Sequence, residues 1–139
     1  MKALLLAAGL GLAAATPGHG ATLTVDLDGV RGSGGSLYVS VQTREQFMRE
    51  GGVAGSVLPS PQAGSHRFQY EVPAGEYAVS VWHDDNGNGA FDNDENFVPL
   101  DGWALSNAAQ LRGEPTFDQV RTVVGSAHAA IRLAMVYGR

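Results

Sequence analysis

The chain has 139 residues, nine Lys and Arg against fourteen Asp and Glu, a formal charge of −5 and no cysteine. That length bounds it to one domain after any leader is removed, and the acidic balance argues against nucleic acid, which wants a basic face. The absence of cysteine excludes both disulfide stapling and attachment of lipid at a cysteine.

The N-terminus reads as a secretory leader. Met1-Lys2 precedes an apolar run from Ala3 to Ala15, and the small residues of Thr16-Pro17-Gly18-His19-Gly20-Ala21 follow. Residues 1–20 are therefore assigned to the leader and 21–139 to a single domain, with the cleaved bond lying between Thr16 and Thr22. The apolar run is shorter than the roughly twenty residues of a membrane span, and nothing later in the chain approaches that length. The expected location is periplasmic or secreted. Removing the leader takes away the only lysine, Lys2, and leaves eight arginines against fourteen acids, 8 − 14 = −6.

Thr22 to Asp28 alternates polar and apolar, with Leu23, Val25 and Leu27 on one face, the period of a half-buried strand. Gly32-Ser33-Gly34-Gly35 is a turn, and Leu37, Val39 and Val41 alternate again, so the two segments predict a hairpin. Thr43 with Gln46 three residues later is a capping-box signature, ahead of Phe47 and Met48 and a stop at Gly51-Gly52, and it predicts a helix of one to two turns. Val53 to Ser65, rich in Gly, Ser and Pro, reads as a loop.

His66 to Val72 puts Phe68, Tyr70 and Val72 on one face. After the turn Pro73-Ala74-Gly75, Tyr77 to Trp82 returns with Tyr77, Val79 and Val81 inward. The run from Asn96 to Arg112 has no sustained period and reads as irregular, with Phe97, Trp103 and Leu105 plugging into the core. Val120–Val124 and Ala129–Val136 are the last two strands, joined at Gly125-Ser126 and paired with each other. Six or so one-sided strands need a second layer to cover them, so the expected fold is an all-β, immunoglobulin-like or transthyretin-like antiparallel sandwich with one short helix and an acidic end loop.

That end loop concentrates the chemistry. Six of the fourteen acids lie between Asp84 and Asp101, and no Lys or Arg occurs between Arg67 and Arg112. Counting from Asp84, residues Asn86, Asn88, Ala90, Asp92 and Glu95 fall at positions three, five, seven, nine and twelve, with Gly89 at six, which is the spacing of a calcium loop. Calcium takes about six to eight oxygens at roughly 2.3–2.6 Å, so one loop must curl its oxygens inward, turn sharply at a glycine and close on a bidentate carboxylate. Asp84, Asn86, Asn88 and Glu95 would supply side-chain oxygens, Ala90 its carbonyl, and Asp92 a direct or water-mediated contact. Phe91 would anchor the loop to apolar surface. The competing reading is an acidic turn, because Asn86-Gly87 and Asn88-Gly89 are also hairpin signals that need positive φ.

Other chemistry is sparse. His83 follows Trp82 at the strand end, but its side chain and that of Asp84 diverge there. Ser106 is the serine in the most distinctive context, and its simplest role is a turn or cap. No Gly-x-Ser-x-Gly elbow, Cys nucleophile, His-Glu-x-x-His pair or phosphate loop occurs, so no catalytic residues are assigned. The expected role is a calcium-ordered end that meets a protein or small ligand, without nucleic acid. The alternative is a metal-dependent or carboxylate-based envelope hydrolase.

Four blocks together carry a family resemblance: Val72-Pro73-Ala74-Gly75-Glu76-Tyr77-Ala78-Val79, His83 to Gly89 with Asp92, Trp103 to Asn107, and Pro115-Thr116-Phe117-Asp118. They resemble the bacterial exported domain-of-unknown-function family 2141, departing from it at Trp103-Ala104-Leu105, where the family tends to carry a glycine–aromatic arrangement. The resemblance implies a signal-bearing periplasmic β-sandwich and no established activity. The Pro-x-Gly-x-Tyr-x-Val piece is also similar to transthyretin-like and surface-protein B-type sandwiches, where such an Asp-x-Asn-x-Asn-Gly loop binds calcium.

Overall fold

The computed structural model describes residues 20–138 apart from 33, 50, 97 and 112. The expected leader, residues 1–19 of it, and the expected core residue Phe97 lie outside the described residues. The strands are β1 (Ala21–Val30), β2 (Leu37–Gln42), β3 (Ala54–Leu58), β4 (Gly64–Val72), β5 (Gly75–His83), β6 (Gly102–Leu105), β7 (Thr122–Val124) and β8 (His128–Ala134). A single-turn helix, α1 (Phe117–Val120), precedes β7.

Two sheets form the expected all-β sandwich. The smaller has the order β4-β1-β8 and the larger β3-β2-β5-β6, with β7 paired to the start of β5. The ladders are antiparallel except for β1 with β8, which run parallel from Thr22 opposite His128 to Asp28 opposite Ala134. The alternation of β1 buries Ala21, Leu23, Val25 and Leu27, and that of β2 buries Leu37, Val39 and Val41; these meet Val79 and Val81 of β5 and Leu133 of β8 in one core. Each such Leu or Val contributes about 1.5–3 kcal/mol by leaving water.

Five expectations are corrected. First, β1 and β2 are not a hairpin. β1 pairs with β4 and β8, β2 with β3 and β5, and the glycine-rich turn between them crosses from one sheet to the other. Two one-sided strands bury their apolar faces equally well face to face across a core as side by side over a third layer, and alternation does not distinguish these arrangements. Second, β7 and β8 do not pair with each other: β7 lies on β5 and β8 on β1. Third, the Thr43 capping bond does form, Thr43 N–H to Gln46 Oε1 at 3.0 Å, but the chain makes only a turn and reverses at Met48, where φ is 62°. The buried Gln42 amide competes for the carbonyls, donating to Gln46, Arg49 and Gly51. The same Thr-x-x-Gln signature does cap α1, at Thr116 and Gln119.

Fourth, the Gly/Ser/Pro-rich loop contains β3, added to the edge of β2. Fifth, the irregular run contains β6. There the core member is Ala104, while Trp103 and Leu105 stand half-buried on the opposite, outer face of the larger sheet. One half of that outer face is closed by Phe117 and Val120 packed on Ala78, with Phe47, Leu105 and Leu111 around them. The other half carries Tyr38, Trp82 and Trp103 in cross-strand register, flanked by the exposed Val57 and Val136.

Candidate functional site

The acidic loop leaves the end of β5, where alternation points Trp82 outward and His83 inward. Its first residue is tied to the turn between β1 and β2. Asp84 N–H donates to Ser36 O at 2.9 Å, and Asp84 O accepts from Gly35 N–H at 2.9 Å and Gly87 N–H at 3.0 Å. The contact is so close that a Cβ on Gly34 would lie 1.8 Å from Asp85 O, and Gly34 sits at φ +73°. Gly34 and Gly35 are therefore part of the site, although in sequence they read only as a turn.

Within the loop, side chains take the place of a regular ladder. Asp84 is buried, and its two carboxylate oxygens accept from Asn88 N–H at 3.2 Å and Gly89 N–H at 2.7 Å. Asn86 Oδ1 accepts from Asn88 N–H and Asn88 Oδ1 from Ala90 N–H, two successive side-chain-closed turns. They require the positive φ of Gly87 at 71° and Gly89 at 79°. Asp92 Oδ2 then accepts from the side-chain amides of both Asn86 and Asn88, each at 2.7 Å. The residues at positions one, three, five and nine are thus drawn together by one network. Ala90 and Glu95 are exposed, and among the described residues the Glu95 side chain makes no hydrogen bond.

Every group gathered is a carboxylate or a carboxamide; oxygen donors of this kind are taken by hard cations such as calcium and not by soft metals. Among the described residues no three His, Asp or Glu side chains converge, so Asp84 and Asp92 are the only anionic groups in this network and the remaining oxygens are neutral. Asp94 Oδ1 accepts from Asn96 N–H and Val98 N–H, and the bonds from Leu100 N to Asp92 O and Asp94 N to Val98 O close the loop behind it.

Two anchors hold the loop to the sandwich. Phe91, 44 % exposed, packs edge-on against Trp82 with centroids 6.1 Å apart, the anchoring expected of it. Asp101, absent from the residues singled out in the sequence, is fully buried; its Oδ2 accepts from Trp82 Nε1 at 2.9 Å and from Asp92 N–H at 3.3 Å. Its other oxygen is buried without a partner. The described salt bridges, such as Asp26–Arg67, Asp28–Arg132 and Asp118–Arg44, lie elsewhere, and none reaches the acids from Asp84 to Asp101.

His83 diverges from the loop as its strand position requires. It is buried, and its Nδ1 shares a 2.8 Å hydrogen bond with the Tyr137 hydroxyl, which also accepts from Arg31 N–H. Burial pushes the Tyr137 phenol up from its ordinary value. A Cβ on Gly102 would lie 2.3 Å from the Tyr137 ring, so that glycine makes room for the contact. Ser106 is 1 % exposed; its Oγ accepts from Val79 N–H at 3.0 Å and donates to Val120 O at 2.6 Å, so in place of the expected turn or cap it ties two distant segments together.

Fold and site together define an all-β sandwich with an acidic loop, tied by its own side chains, at one end. Residues 25–132 match the family described as an uncharacterized protein conserved in bacteria, DUF2141. The chain belongs to that family. Comparison with curated proteins and with solved structures yields no match.

Proposed function

We propose that the protein is an exported sandwich domain whose Asp84–Glu95 loop takes one calcium ion in a structural role and so orders the end of the sandwich that meets a protein or small ligand. The observation that carries the reading is the meeting of Asn86, Asn88 and Asp92 at a single carboxylate oxygen, with the Asp84 carboxylate bonded to the same stretch of backbone. An ion here would replace the amide bonds that Asn86 and Asn88 donate to Asp92. In this reading Glu95, exposed in the structure, supplies the closing carboxylate. Export rests on the leader read in Met1 to Gly20. Among the described residues no helix is long and apolar enough to cross a membrane.

Calorimetric titration of the chelator-stripped mature domain with calcium tests the reading, together with thermal melts with and without the ion. One saturable site per chain is expected, and stabilisation that follows RT ln(1 + [L]/Kd), about 2.7 kcal/mol at a hundred times Kd. A titration without heat and melts that coincide would reduce the loop to an acidic turn.

A further inference from the structure

Asp101 brings two carboxyl oxygens to a place where its visible hydrogen bonds use one. Its Oδ2 serves two neutral donors, the Trp82 indole N–H and the Asp92 backbone N–H, and an asparagine carbonyl would satisfy both. The residue is 0 % exposed, no arginine pairs with it among the described residues, and Oδ1 has no partner at all. A buried oxygen left without a partner is costly, and a cation held nearby is one group that offsets it. Asp92, whose backbone it holds, supplies the carboxylate at which the loop converges. Trp82, which it also holds, is stacked on Tyr38 with centroids 4.8 Å apart and planes at 17°.

We infer that Asp101 is a positioning residue that couples the Asp84–Glu95 loop to the Tyr38–Trp82 stack, so that a divalent cation held by the loop is felt on the outer face of the larger sheet. The inference rests on the calcium reading above. When Asp92 leaves the Asn86 and Asn88 amides for an ion, its backbone shifts against Asp101, and the carboxylate changes its bond to the indole. Asp101 acts behind the ligand shell, through its hydrogen bond to the Asp92 backbone, without touching the ion. The connection reaches the uncovered half of the sheet, where Trp82 stands between Tyr38 and Trp103.

The test follows the two indole N–H resonances of the full mature domain by NMR during calcium titration, with Trp103→Phe identifying that of Trp82, and repeats the calorimetry on Asp101→Asn. The wild-type Trp82 resonance is expected to move in step with site occupancy. Asp101→Asn, which keeps an acceptor for both donors, is expected to weaken calcium binding on the order of tenfold to a hundredfold, the usual effect of losing an outer-shell partner, and to abolish the calcium-dependent movement of Trp82. A merely structural Asp101 predicts something else: an unchanged affinity, and a Trp82 shift already present without calcium. Heat in the wild type with a stationary Trp82 resonance would overturn the coupling while leaving the calcium site standing. If neither heat nor shift occurs, the calcium reading itself falls. If Asp101→Asn does not fold, Phe91→Leu, which removes the loop's other contact with Trp82 and leaves Asp101 in place, is expected to keep the calcium-dependent movement, and its loss there would overturn the role of Asp101.

Discussion

Replacing Gly34 by alanine tests whether the turn between β1 and β2 is built to let the loop approach. Two costs arise in the variant. Alanine at φ +73° is strained by about 1–2 kcal/mol. Its Cβ, 1.8 Å from Asp85 O, also forces the Asp84–Asp85 backbone away and weakens the paired bonds from Gly35 N to Asp84 O and from Asp84 N to Ser36 O, at about 0.5–1.5 kcal/mol each. The expected loss is about 2–5 kcal/mol, enough to shift the unfolding midpoint strongly within a total stability of about 5–15 kcal/mol. Gly51→Ala is the control: Gly51 has φ +88° and nothing within 4 Å of an added Cβ, so it carries the strain alone. Urea unfolding of both variants, read by far-ultraviolet circular dichroism with an unchanged m-value, separates the two costs. If Gly34→Ala loses no more than Gly51→Ala, the close approach is not what selects glycine there.

Ser106→Ala leaves the buried Val79 N–H and Val120 carbonyl unpaired and is expected to cost about 2–4 kcal/mol by denaturant unfolding; a loss below about 1 kcal/mol would mean that water or rearrangement replaces the hydroxyl. For calcium affinity, Glu95→Gln should lose at least about tenfold, whereas Asp94→Asn, which keeps the Oδ1 that caps Asn96 and Val98, should change little; equal losses in calorimetry would contradict the register of the loop. The guanidinium bonds of Arg67 to Asp26, Arg132 to Asp28 and Arg44 to Asp118 hold those three carboxyls below their ordinary range. A folded-state pKa below the unfolded one makes a contribution that is present above the unfolded pKa and lost as pH falls through the folded one. Arg67→Gln should therefore raise the Asp26 titration midpoint seen by carboxyl-carbon NMR, and a midpoint that stays put would refute the pairing.

Local order was legible in the sequence wherever a periodic pattern or a fixed spacing expresses it. The alternating faces of β1, β2, β4 and β5 were readable because a strand's period of two is set by its own residues, and most of each predicted face is buried as expected. The loop was readable for a related reason: Asp84, Asn86, Asn88, Gly89 and Asp92 act through bonds to one another across six residues or fewer. What lay beyond reach was every choice between partners that one period leaves equivalent. The parallel pairing of β1 with β8, and the placement of β1 and β2 in opposite sheets, are decided by which arrangement covers all apolar faces at once. The same holds for Thr43 and Thr116, where one signature ends in a turn at one position and a helix at the other. Around Thr43 the buried Gln42 amide captures the carbonyls, while Phe117 and Val120 are pressed onto Ala78. Gly34, Asp101 and Tyr137 belong to the site only because the sandwich brings them against residues 51, 9 and 54 positions away, Asp85, Asp92 and His83 respectively. The sequence by itself determined which faces are apolar and which side chains of the loop can reach one another. Only the tertiary structure decided what stands behind that loop, because contacts between distant segments depend on closing the whole core and leave no local period to read.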